Sequence, residues 1–160
     1  MSNRFLANFL KSILHNIGVL AVGFTVGLLG IKADHLFDLS NFHSTSLLVF
    51  GLTLLMAGFL LRVWATYDFY KHQMKVIVLH AQQALITSGP YRYSRHPLYL
   101  GGNVFIFYGF ALFLGSISAL ILITLHLPII EWMARREERQ LEARFGDEYR
   151  EYKKRVRRWI

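Results

Sequence analysis

The stretch Gly89–Gly102, GPYRYSRHPLYLGG, gathers side chains of the kinds that bind and react. Tyr91, Tyr93 and Tyr99 bring phenols and aromatic faces, Arg92 and Arg95 bring guanidinium donors, and His96 brings an imidazole that can donate or accept. Gly89-Pro90 is a turn signal, and Pro97 disfavours an α conformation at His96. Thr87 to Pro97 is therefore expected to be a shaped loop that only then enters a helix. A long apolar run follows at once, which puts any chemistry of this loop at a membrane surface. Tyr and Arg also collect wherever a membrane helix meets headgroups, so an interfacial loop without a ligand accounts for the same composition. The second candidate is the pair Glu137-Glu138, whose carboxylates suit an ammonium partner or a proton acceptor. In a charged helix the same pair could equally salt-bridge with Arg135, Arg136 or Arg139.

The elements that must position these residues are membrane helices. At 160 residues, 54% hydrophobic and 15% aromatic, the chain exceeds the apolar content of a soluble domain and predicts a single all-α integral membrane domain, residues 1–160. Its net charge of +8 sits beside apolar spans with no nucleic-acid-binding motif, so anionic lipid is the expected counter-charge and nucleic acid is not an expected partner. The lack of cysteine excludes a thiolate nucleophile, a disulfide framework and a thiolate metal site. The histidines His35, His43, His72 and His80 show no metal-ligand spacing, so no metal is expected.

Four spans are predicted, at about 13–31, 44–64, 98–114 and 116–130. Residues 1 to 12 read as a short interfacial helix or a frayed terminus. The first apolar run is too long for a cleaved signal core, and its Gly18, Gly23, Gly27 and Gly30 permit close helix contact. Residues 32 to 43 read as an external loop. Arg62, Trp64, Tyr67, Phe69, Tyr70, Lys71, His72 and Lys75 read as an aromatic and basic belt, opening a long connection over 66–97. Leu98 to Ile130 carries no charge and is too long for one upright helix, and Gly115-Ser116 marks a hairpin within it. Basic segments then fall on one side, which predicts both termini in the cytoplasm. Beyond Glu131 the fourth helix is expected to leave the bilayer and break at Phe145-Gly146-Asp147. A second, amphipathic helix would follow, with Tyr149, Tyr152, Val156 and Trp159 on one face, lying on the membrane.

An up-and-down hairpin returns the chain to the side it entered, so the loop and the glutamates should share one interfacial zone. Imidazole, phenol, guanidinium, backbone amides and carboxylates together suit a zwitterionic ligand with a cationic or planar part.

Residues 83–102, QALITSGPYRYSRHPLYLGG, and 137–152, EERQLEARFGDEYREY, resemble the two signature blocks of the isoprenylcysteine carboxyl methyltransferase family, whose wider group includes phospholipid N-methyltransferases. The resemblance covers roughly the C-terminal half of the chain. It implies an integral membrane enzyme that uses S-adenosylmethionine, releases S-adenosylhomocysteine, and has no Rossmann domain. The cofactor would lie between residues 83–102 and 131–152. Matched position by position, Gln83, Ala84, Leu85, Ile86, Tyr91, His96, Pro97, Leu98 and Tyr99 would line the cofactor, with Gly101 in the same motif and Glu137 closing the site. Arg95 and Glu138 would be catalytic, Arg95 orienting a carboxylate nucleophile, or Glu138 or a histidine taking a proton from an amine. The first-choice reaction is O-methylation of a membrane-embedded or hydrophobic acceptor. N-methylation of a phospholipid amine and S-methylation of a small thiol are the enzymatic alternatives, and a lipid-binding sensor or transport subunit is the non-enzymatic one. Where the isoprenylcysteine enzymes carry a substrate-binding arginine one turn before the cofactor-binding glutamate, this chain has Met133, which puts a prenylcysteine carboxylate in question. The short chain is similar to smaller bacterial members, implying a multi-pass protein of a bacterial inner membrane. His15 and His126 lie inside spans, where an ionisable group is a functional candidate or a neutral interhelical hydrogen-bonding group.

Overall fold

The computed structural model describes residues 3–72 and 84–160, all the regular structure among them helical. Four helices are long and apolar enough to cross a membrane. Helix α1 is Asn3–Leu36, α2 Thr45–Lys71, α3 Pro97–Leu114 and α4 Ile117–Phe145. A short helix α5, Asp147–Arg155, follows a break at Gly146. Gln83 and the run Val76–Leu79 lie outside the described residues.

The helices exceed the apolar spans at nearly every end. The expected separate helix over residues 1–12 is instead continuous with the first span, because nothing between Leu10 and Ile13 breaks it. The Ser12 hydroxyl even bonds back to the Asn8 carbonyl at 2.9 Å. Likewise α1 runs into the expected external loop as far as Leu36, and α2 runs through the expected belt to Lys71. Backbone hydrogen bonding does not stop at the edge of the hydrocarbon, so hydropathy marks the lipid-crossing part and not the helix.

Large apolar side chains such as Leu14, Val22, Leu29, Leu48, Met56, Leu60, Ile121 and Leu125 face outward, as lipid contact requires. Inside, small residues let the helices touch. Helix α2 packs chiefly on α3, and α1 packs on α2, α3 and α4. On α1, a Cβ at Gly23 would lie 2.9 Å from Phe110, and one at Gly30 only 2.5 Å from the Ala119 Cβ. Those positions are thus occupied by α3 and α4 of the same chain and are not left for a second copy. Across α2 and α3, Gly58 abuts the Gly101 carbonyl and Gly51 the Gly109 carbonyl.

Helix α3 is wound as π over Leu100–Ile106, between α segments at Pro97–Tyr99 and Phe107–Leu114. A π stretch takes one more residue per turn than α. It therefore matches the longer separation of Gly101 from Gly109 to the shorter separation of Gly51 from Gly58, keeping both close contacts on one seam.

The predicted hairpin is present. Gly115 ends α3 in the left-handed region (φ 68°), and the Ser116 side chain caps α4 by accepting from the Ala119 N–H at 3.1 Å. Buried Asp34, from the end of α1, accepts from the Ser118 N–H at 2.8 Å and places a carboxylate at the same helix N-terminus.

Candidate functional site

The loop begins on an acid of α2. Gly89 has φ 56°, and a side chain there would collide with the Asp68 carboxylate, which also accepts from the Ser88 hydroxyl at 3.1 Å. Asp68 is the single acidic residue between Asp38 and Glu131, which is the sequence signal that could have marked it. Pro90 starts the 3-10 turn Gly89–Arg92, and Tyr91 is buried against Phe69, Ala65 and Ile86, its ring 5.7 Å from that of Phe69. Burial in this apolar cluster pushes the Tyr91 phenol well above its ordinary range. His96 (φ −128°, ψ 54°) lies outside the α region, as Pro97 demands, and its N–H donates to the Ser94 hydroxyl at 3.2 Å.

The loop meets α4 at Glu138. This carboxylate is buried, and Arg95 donates to it through Nε at 3.0 Å and Nη2 at 2.8 Å. Arg158, from beyond α5, donates through Nε at 2.9 Å and Nη2 at 2.8 Å. His96 Nε2 lies 3.3 Å from the same carboxylate, while His96 Nδ1 is 3.7 Å from Glu137 Oε2. The imidazole therefore sits between two neighbouring acids. The pairing of Glu138 with Arg135, Arg136 or Arg139 that its helix allowed is not what the fold uses; its partners come from the loop and the chain's end.

Arg158 carries a third acid. Its Nη1 donates to Glu131 Oε1 at 2.6 Å, and the Trp159 indole N–H donates to Glu131 Oε2 at 3.1 Å. These bonds to Glu138 and Glu131 raise the Arg158 guanidinium above its usual range, keeping it charged. The Trp159 ring lies 5.7 Å from the His96 ring, and Tyr99 lies 5.5 Å away. The expected continuation of α5 through Val156 and Trp159 does not occur, because the helix stops at Arg155 and Val156 is extended. Tyr149 and Tyr152, expected to face lipid, are buried in the protein, and the Tyr152 hydroxyl donates to the Tyr91 carbonyl at 2.7 Å. The helix is amphipathic as predicted, with the loop taking its aromatic face.

Arg62 is a further departure. It is not part of an interfacial belt but only 8% exposed, and it donates to Asn16 Oδ1 at 2.7 Å and to the Leu98 carbonyl at 2.6 Å. Gly101 and Gly102 lie flat against it. Asn16 in turn donates to Thr66 Oγ1 at 2.9 Å. Arg62 thus ties α1 and α2 to the first turn of α3, directly after His96 and Pro97.

Of the residues marked from sequence, Arg95, His96, Tyr99, Glu137 and Glu138 come together in this one cluster. Ile86, Tyr91 and Pro97 are buried, the first two in the cluster with Ala65 and Phe69 of α2. Leu85, Leu98, Tyr99 and Glu137 are half-buried, Ala84 is exposed, and Gly101 faces Arg62. Arg158, Trp159, Arg62 and Asp68 were missed.

Comparison with known proteins gives the arrangement a place. A relative from Haemophilus influenzae, described as an uncharacterized protein, is 46% identical over 56 residues, 34% of this chain and 89% of that one. No solved structure matches. The family model described as phospholipid methyltransferase matches residues 46–148, from α2 across the loop, the hairpin and the paired glutamates to the start of α5. The chain therefore belongs to the phospholipid methyltransferase family, a family of membrane methyltransferases within the isoprenylcysteine carboxyl methyltransferase-like group.

Proposed function

We propose that this protein transfers a methyl group from S-adenosylmethionine to a lipophilic acceptor that reaches the site from the bilayer. The observation that carries this reading is the junction of the His96 loop with Glu137 and Glu138 just beyond the uncharged part of α4. The donor set fits the cofactor. Glu137, with a side chain 31% exposed, is the acceptor for its ammonium or ribose hydroxyls, and His96 with Tyr99 answers its carboxylate. Half-buried Leu98 supplies apolar surface, and Ile86 and Tyr91 back it from the core cluster.

When bound, the cofactor supplies a methyl already activated by its sulfonium. The protein then has to hold the acceptor in line at about 3 to 3.5 Å and keep water out. Arg95 was expected to orient a carboxylate acceptor, yet its nitrogens are occupied: Nε and Nη2 by Glu138, and Nη1 by the Val156 carbonyl at 2.6 Å. Arg158 is committed likewise, and Met133 points outward. These commitments favour a phospholipid amine over a prenylcysteine carboxylate as the acceptor. An amine must shed a proton before attack. Glu138, held by two guanidinia, is poorly placed to take it, and Glu137 beside His96 is the better-placed carboxylate. The concentration of basic residues in the segments on this side supports a cytoplasmic position for the site and both termini.

Titration calorimetry with S-adenosylhomocysteine tests the cofactor, and absence of binding would overturn the enzymatic reading. Labelled methyl transfer from S-adenosylmethionine, offered phosphatidylethanolamine, a prenylcysteine and a small thiol in parallel, tests the acceptor. Label in the prenylcysteine alone would reject the amine.

A further inference from the structure

We propose that the C-terminal strap, residues 156–160, is a wall of the cofactor site, with Arg158 as its positioning residue and Trp159 as a binding residue. The inference rests on the cofactor reading above but concerns residues that neither signature block contains.

The strap is knitted to the loop through its backbone. The Arg95 N–H donates to the Arg157 carbonyl at 3.0 Å, the Ser94 hydroxyl to the Arg158 carbonyl at 3.1 Å, and Arg95 Nη1 to the Val156 carbonyl. Three successive carbonyls are thus satisfied by two successive residues of the loop. The strap's side chains reach the opposite way, to α4. Arg158 grips Glu131 and Glu138 together, acids two helical turns apart, and Trp159 secures Glu131 through its indole N–H. Loop and helix meet at the strap as well as at Glu138.

A tail serving only as a lipid anchor would turn its tryptophan and arginine toward headgroups. Here both are turned inward, and Trp159 rests on the one imidazole of the site. Tyr99, Glu137 and Trp159 are each half-buried, so together they present the accessible surface beside His96. A nucleoside ligand bound across His96, Tyr99 and Glu137 meets the indole, which offers an aromatic face to a purine or to a sulfonium.

The test uses the full chain in detergent, with S-adenosylhomocysteine as probe. A chain ending at Arg155 is expected to keep its helical content and to lose on the order of tenfold or more in affinity, as loss of a ring contact and a charge clamp requires. Trp159→Phe, which keeps a ring but loses the bond to Glu131, is expected to weaken binding severalfold while helical content is kept and the melting temperature falls less than in the truncated chain. In a Trp64→Phe, Trp132→Phe background the remaining indole fluorescence should shift on ligand addition. Arg158→Lys should recover part of the affinity that Arg158→Ala loses. Unchanged affinity in the truncated chain and in Trp159→Phe would overturn the proposal. Tighter binding on truncation would overturn it too, making the strap an obstruction. If the intact chain fails to bind, the cofactor reading falls with it; if only the strap variants bind normally, this inference falls alone.

Discussion

Two adjacent glutamates have opposite situations. Glu138 is buried and accepts from two arginines, so its removal takes the counter-charge from Arg95 and leaves Arg158 with Glu131 alone. Glu138→Ala is expected to cost about 3–5 kcal/mol of unfolding free energy, read by denaturant titration in detergent. Glu137, beside it but partly open, should be nearly silent in that measurement; its alanine variant is expected to lose cofactor affinity with less than about 1 kcal/mol change in stability. Equal stability losses for the two would refute the division. Arg62 is the other residue whose role geometry decides. Its partners Asn16 and Leu98 are neutral, and Asn16→Ala removes an acceptor from a buried cation, with an expected cost of about 1–3 kcal/mol. Sequence could not show this, because a cation ending an apolar run has the pattern of a side chain reaching for headgroups, whether it turns outward or inward. Glu137 and His96 were legible because their neighbours form ordered motifs. Arg158 was not, because a basic residue among basic residues carries no mark of having an acid partner.

At the level of elements, the hairpin and the seam of small residues position the site from a distance. Gly58→Ala would set a methyl 2.6 Å from the Gly101 carbonyl and push α3 off α2. That shift should loosen the bond from Arg62 to Leu98 and weaken cofactor binding, although Gly58 meets Gly101 and not the cluster of His96, Glu137 and Glu138. Calorimetry on Gly58→Ala and on an outward-facing control such as Ala57→Leu separates this from a general effect of substitution in α2. The four spans and the turn at Gly115 were readable because an absence of charge and a glycine-serine break are one-dimensional signals. The π winding of Leu100–Ile106 and the end of α5 at Arg155 were not. The first depends on register with another helix, and the second on carbonyls claimed by a loop some sixty residues away. A helical period can always be extended on paper past the point where tertiary contacts end it.

Across the whole molecule, the wet half is held by buried tyrosines as well as by ion pairs. Burial raises the phenol ionisation of Tyr91, Tyr149 and Tyr152. Such a phenol keeps its proton in the native state where the unfolded chain has lost it, so above about pH 10 the unfolded state binds fewer protons and stability falls with rising pH. The contribution is complete below that pH and lost above it. Alkaline titration is expected to release the tail before the spans: phenolate absorbance should rise together with loss of cofactor binding while helical content persists. Phenolate appearing with ligand affinity intact would contradict the packing of α5 on the loop. The strap's attachment also bears on how the protein can be handled. Residues 156–160 are wedged between the loop and α4, so on the proposed reading a bulky group joined next to Ile160 would lie at the edge of the site and would not be a neutral handle.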